Sequence, residues 1–271
     1  MSASQILRPL ERVGAQAEGF IAYLGGIGYL TLDTFTGGVA GLFTRPRIKA
    51  GETIYQMVRL GVRAVPIIAL VQIFVGITLA FTLAPVLEQY DQLGQLPTVI
   101  AKATFPQLGP LLAAVVLTGF AGAAITAELG TMVVGEELSA LRASAINPIR
   151  FLVIPRVIAC VVMTVALTVL ANILCAAGGM LISALQLGID PYQYYYTTID
   201  ALTVKDVATG LIKGGIYGFL IVMVACYEGL SVSGGAGGVG QRTTASVVRS
   251  IFLIIVANCA FTAVFYFFWP E

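Results

Sequence analysis

Ionisable side chains stand inside long apolar runs, among them Glu128 between Leu108 and Val134 and Lys213 between Val207 and Leu230, a run that also carries Glu228. A charge left unpaired in such surroundings costs about 3 kcal/mol or more, so each must face a partner charge, a bundle interior or a wet cavity. For Lys213 two readings stand side by side, a structural cation or part of the lining of a substrate path. Glu128 lies near the end of its run, where a structural pair or a side chain reaching the headgroups is the simpler reading. Gly235-Ala-Gly-Gly-Val-Gly240 satisfies a bare GxGxxG pattern. It follows an apolar run rather than a strand, no ribose-binding acid stands at the proper distance, and Gln241-Arg242 replaces the Lys-Ser/Thr of a phosphate loop. It reads as a flexible loop, and the chain as having no nucleotide site of its own.

Catalytic chemistry is poorly provided for. There is no histidine, which removes the commonest general base and metal ligand together. Cys160, Cys175, Cys226 and Cys259 lie singly inside apolar runs without a CxxC pair, so they read as small buried side chains. No catalytic residue, metal site or cofactor is expected. The segment Gly135-Glu-Glu-Leu-Ser-Ala-Leu-Arg-Ala-Ser-Ala-Ile-Asn-Pro148 is different. At helical spacing Leu138, Leu141 and Ala145 share a stripe, with Glu136 and Ala143 opposite, and Pro148 ends the helix at or before Asn147. Such a helix between two spans either lies on the headgroups or docks into a partner as a coupling lever.

The elements that carry these residues follow from solvent. Hydrophobic residues make up 58% of the chain and charged ones 11%, against roughly 25% charged in soluble domains. A chain of 271 residues has too little interior to hide that surface from water. Spanning a bilayer takes about 20 apolar residues, and five runs qualify: Ala64 to Leu87, Leu108 to Val134, Val157 to Leu187, Val207 to Leu230 and Val247 to Trp269. They form one membrane domain over residues 1–271, with residues 1–50 as a cytoplasmic or interfacial N-terminal region. The charge runs do not point to nucleic acid, since the net charge is +1.

Basic residues give the direction. With the N-terminus inside, Arg8, Arg12, Arg45, Arg47, Lys49, Arg59, Arg63, Arg142, Arg150, Arg156, Arg242 and Arg249 lie on the inner side, while the outer loops hold Lys102 and Lys205. That bias predicts a cytoplasmic N-terminus and an external C-terminus. Phe20 to Phe43 is long enough to cross, but it carries Asp33 and six glycines; an interfacial elbow helix fits it better than a sixth span. Arg8, Glu11, Arg12 and Glu18 interrupt the first twenty residues, so no cleavable leader is expected.

Several stretches together resemble the MlaE/YrbE permease family: Leu108-Gly-Pro-Leu-Leu-Ala-Ala, Ala121-Gly-Ala-Ala-Ile-Thr-Ala-Glu-Leu-Gly-Thr-Met132, Glu137-Leu-Ser-Ala-Leu141, Asn147-Pro148 and Ile154-Pro-Arg156. The likeness extends through Gln56-Met-Val-Arg-Leu-Gly-Val-Arg63 and through Gly229 to Val248. It implies an all-α integral membrane permease, an elbow helix plus five spans per chain, assembled as a homodimer in a bacterial inner membrane. A cytoplasmic ABC ATPase, which binds the ATP, would grip Glu136, Glu137, Leu138, Leu141 and Arg142. A periplasmic MCE-domain protein would sit on the outer side, with a small STAS-domain protein as a further partner. The cargo would be a phospholipid or similar lipid in a central cavity, which the resemblance carries onto Leu79, Val86, Leu87, Tyr90, Leu108, Lys213 and Tyr217. Many members have Arg-Glu before the Leu-Gly-Pro and Gly-Arg before the second motif; here Pro106-Gln107 and Gly119-Phe120 stand there. The other classes weighed are a secondary transporter or channel for a small amphiphile, which would show mid-membrane ionisable pairs or an inverted repeat, and an intramembrane enzyme, which would show clustered Asp, His or Ser.

Overall fold

The computed structural model describes residue 18, residues 21–36 and residues 50–268. The described residues form helices and no strand: α1 (residues 21–36), α2 (Ala50–Leu60), α3 (Val65–Gln89), α4 (Leu96–Ala103), α5 (Gly109–Leu117), α6 (Ala123–Val134), α7 (Glu137–Ala143), α8 (Ile154–Gln186), α9 (Pro191–Ala201), α10 (Val204–Leu230) and α11 (Gly235–Phe268). Five helical stretches among them are long and apolar enough to cross a membrane: Gly51–Gln89, Leu93–Val134, Ile149–Gln186, Val204–Leu230 and Gly235–Phe265. The protein is an all-α, multi-pass membrane protein.

The second stretch starts well before Leu108. Its helices α4, α5 and α6 are joined by π turns at Thr104–Leu108 and Thr118–Gly122. Pro106 and Pro110 have no N–H to give to the preceding turn, and a widened turn lets the chain pass them without leaving the helical axis. A third π turn, Ile149–Val153, leads from Pro148 into α8, where Pro155 occupies the first turn. Helix α10 is the axle of the bundle. In its most apolar window 56% is buried, against 11% for α11, which lies on the outside.

Two apolar clusters hold the helices together. The larger joins α5, α6, α8 and α10 through Leu117, Ile125, Leu129, Leu167 and Ile221, and takes in Leu30 of α1 and Leu60 of α2. The smaller lies at the opposite end, where Ala80, Ala84, Leu96, Ile100 and Ile189 surround Tyr194. Close approach depends on glycine, as the Gly210, Gly214 and Gly218 spacing predicts. A Cβ at Gly214 would lie 2.5 Å from Thr168 Oγ1, and one at Gly218 2.6 Å from Thr164 Oγ1.

Three expectations change here. Gly235–Gly240 is the first turn of α11 rather than a loop. Gly234 and Gly235 take φ of 88° and 72° to make the turn, and Val239 then packs against Gly130 of α6, so tertiary contact holds a glycine-rich helix start. Helix α7 ends at Ala143, before Asn147, and leaves Ala145 beyond it. Ala145 adopts φ 56° while the N–H groups of Ala145 and Ile146 donate to the carbonyls of Arg142 and Leu141, a Schellman closure that takes Ala145 off the stripe. Cys160, Cys175 and Cys226 are buried, but Cys259 is exposed on α11. Of the segment Phe20 to Phe43, residues 21–36 are helical; the rest lies outside the described residues.

Candidate functional site: a lever helix and a buried polar seam

Around α7 the bundle concentrates its charge. Glu128 of α6 binds Arg59 of α2 at 2.9 Å and Arg156 of α8 at 3.0 Å. Arg156 is itself buried and also donates to the Leu152 carbonyl at 2.7 Å. Three helices therefore meet at one carboxylate two turns from the start of α7. Glu228, fully buried at the same end of α10, accepts from Arg242 at 3.0 Å and from Arg249, both on α11. The Arg249 guanidinium stacks over the Tyr23 ring of α1, 4.5 Å from its centroid. Burial, with Glu228 beside it, pushes the Tyr23 phenol well above its ordinary value, so the ring stays neutral beneath the cation.

Helix α7 projects from this charged floor. Leu138 is buried in the main cluster, and Leu141 packs against it half-buried. Glu136, Glu137 and Arg142 are exposed. One groove of about 440 Å³ runs between Leu138, Arg142, Pro148 and Leu230, and a second of about 370 Å³ between Met132, Glu137, Leu141 and Phe151. Glu136 takes φ 57° at the helix start, which turns α7 sharply off the axis of α6. Of the five residues predicted to touch a partner, Glu136, Glu137 and Arg142 are exposed, Leu141 is half-buried and Leu138 roots the helix in the core.

The second feature lies inside the bundle. Lys213 is 3% exposed, nine residues into α10, or about 13 Å from its α9 end. Its ammonium donates to Gln107 Oε1 at 2.5 Å and to Thr262 Oγ1 at 3.0 Å, and Thr262 also reaches Gln107 at 3.2 Å. One turn further along, the Tyr217 hydroxyl donates to Asn258 Oδ1 at 2.8 Å. The four helical residues run as two i,i+4 pairs in opposite directions, a polar seam between α10 and α11, and the first π turn delivers Gln107 to it. Further out, Lys102 binds Asp206 at 2.8 Å, the acid that closes the capping box of α10 with Thr203.

The seven residues assigned to a cavity lining do not all meet within one chain. Lys213 and Tyr217 are buried in the seam, and Leu108 directly follows Gln107. Leu79 and Leu87 instead pack half-buried on the smaller cluster, while Val86 of α3 and Tyr90 just past its end are 51% and 73% exposed. Gln107, Asn258 and Thr262 enter the site unannounced, although a polar pair four residues apart in an apolar run was a readable signal.

Comparison with known proteins bears on what such a bundle does. A family profile described as Permease MlaE matches residues 53–264. The chain belongs to the MlaE permease family. Similar proteins include a probable ABC transporter permease protein of Rickettsia felis, 32% identical over 246 residues that cover 91% of this chain and 94% of the relative. A probable ABC transporter permease protein of Synechocystis sp. is 35% identical over 223 residues, 82% of this chain and 85% of the relative. Protein TRIGALACTOSYLDIACYLGLYCEROL 1, chloroplastic, of Arabidopsis thaliana is 32% identical over 240 residues, 88% of this chain and 68% of the relative. As an MlaE permease the chain is the membrane subunit of an ABC transporter, a role that implies a separate partner ATPase.

Proposed function

We propose that this permease, as a homodimer in a bacterial inner membrane with its N-terminus in the cytoplasm, moves a phospholipid or similar lipid between that membrane and a periplasmic MCE-domain protein. Helix α7 is the handle for the ATPase, and a small STAS-domain protein is a further partner. The observation that carries the reading is the seam of Lys213, Gln107, Thr262, Tyr217 and Asn258, which sets a buried cation and a row of polar groups between two apolar spans. An amphiphile needs that combination, since aliphatic walls accept acyl chains and one cation attracts a phosphate. The name of the Arabidopsis relative contains a glycolipid, which supports a lipid cargo. Nucleotide-driven closure of the ATPase pair moves α7, and α6 passes the movement through Glu128 to α2 and α8. Coupling then requires that the two states bind the lipid with different affinity.

Two experiments test it. Replacing Glu137 and Leu141 together by alanine is expected to reduce the ATPase that co-purifies by about tenfold, roughly 1.4 kcal/mol of lost contact, with membrane insertion unchanged. Undiminished co-purification would remove α7 as the docking helix. Lys213→Met keeps the length of the side chain and removes its charge. By mass spectrometry the purified complex is expected to retain about tenfold less phospholipid, in line with the loss of one charged hydrogen bond. Unchanged lipid content would take the seam out of cargo binding.

A further inference from the structure

Helix α9 has a face that the transport reading does not use. On its inner side Tyr194 and Thr198 are buried, 2% and 8% exposed. On its outer side Tyr192, Tyr195, Tyr196 and Ile199 follow i, i+3, i+4, i+7 spacing and are 70%, 56%, 57% and 51% exposed. The Tyr192 and Tyr196 rings lie 5.2 Å apart and the Tyr195 and Tyr196 rings 5.7 Å apart, a continuous aromatic surface. The height of the helix along the bundle is set from both ends. Asp190 caps its start by accepting from the Tyr192 N–H at 3.2 Å, and two residues, Leu202 and Thr203, separate it from α10.

We propose that α9 is an interfacial helix whose tyrosine face lies among the headgroup and ester groups of the outer leaflet. Continuity with the spans commits the face to lipid. Leu185, on the last turn of α8, is 72% exposed, and Val204, the first residue of α10, is 88% exposed. Bare apolar side chains on both flanks bring the edge of the hydrocarbon up to both ends of α9. Tyrosine suits the next layer outward, since its ring takes apolar contact while its hydroxyl reaches water and phosphate. The four side chains of the stripe are uncharged, and the exposed Asp200, one turn on from Tyr196, borders them at the end of the helix. The face would anchor the outer end of the bundle while α7 is moved from the other end. This inference does not depend on which cargo is carried.

Depth-dependent quenching tests it with the purified chain in phosphatidylcholine vesicles. Trp269, the single tryptophan, is replaced by Phe, and Tyr196→Trp or Tyr192→Trp then supplies the probe on the face. Both are exposed aromatic exchanges, and gel filtration checks each fold; either position reads the same surface. Lipid brominated near the ester end of its chains is expected to remove most of the probe emission, and lipid brominated near the methyl end little. Quenching by aqueous iodide alone would overturn the proposal in favour of open solvent. Emission untouched by bromolipid and iodide alike would overturn it in favour of a covering protein, whether a second copy or another partner.

Discussion

A single methyl group added at Gly76 or at Gly178 is expected to destabilise the folded bundle by about 3 kcal/mol, the upper end of what overpacking a close-packed interior costs. Here α3 and α8 touch backbone to backbone. A Cβ at Gly76 would lie 1.9 Å from the Cys175 carbonyl oxygen and 2.9 Å from the Gly179 nitrogen. A Cβ at Gly178 would lie 2.2 Å from the Ile73 carbonyl oxygen. Neither obstacle is a side chain that could swing away, so the helices must part. In lipid, parting is not opposed by water, and what is lost is the packing itself, the main force that associates spans. Apparent thermal midpoints in detergent should fall for Gly76→Ala and for Gly178→Ala. Gly119→Ala, where nothing lies within 4 Å of the added atom, serves as the control and should leave the midpoint in place. The double variant should lose less than the sum, since one methyl already opens the seam that the other needs. Full additivity would mean that the two glycines do not share an interface.

The spans were legible because lipid imposes length and apolarity on every crossing segment, and that requirement leaves its mark on composition. What periodicity missed came from tertiary compensation. Pro106 and Pro110 mark a break to any local rule, yet π turns carry the second crossing through them from Leu93. The glycines at 235–240 are poor helix formers, and contact with α6 keeps them helical. The site divided in the same way. Lys213 stood out because a cation in an apolar run demands an explanation. Its partners Gln107 and Thr262 did not, since uncharged polar side chains are cheap enough in a span to pass unremarked. That Leu79 and Leu87 pack on the smaller cluster was not legible either, since no side of a uniformly apolar helix is marked as facing a neighbour.

Glu228 stood inside an apolar run as Lys213 did, but its burial against Arg242 and Arg249 was not legible, and its removal supplies the second large effect. Glu228→Ala is expected to cost about 3 kcal/mol, the lower end of what breaking a buried ion pair from one side costs. The lower end applies because the side chains of Arg242 and Arg249 are 35% and 43% exposed and can turn towards water once their partner is gone. The same asymmetry predicts a small effect for Arg242→Ala, about 1 kcal/mol or less, since Arg249 still neutralises the acid. Removing both arginines is worse than removing either, because Glu228 has no exposure of its own and cannot follow them out. Glu228→Gln should fall between, since its amide oxygen still accepts from one guanidinium. The effect should also reach α1. Arg249 lies over Tyr23, and Tyr23 meets Tyr227 edge-on with ring centroids 5.2 Å apart. With Glu228 gone, Arg249 loses its anchor and the aromatic contact its lid. Hydrogen exchange in residues 21–36 should therefore rise in Glu228→Ala and stay unchanged in Arg242→Ala. Equal protection of α1 in both variants would separate the N-terminal helix from this ion cluster.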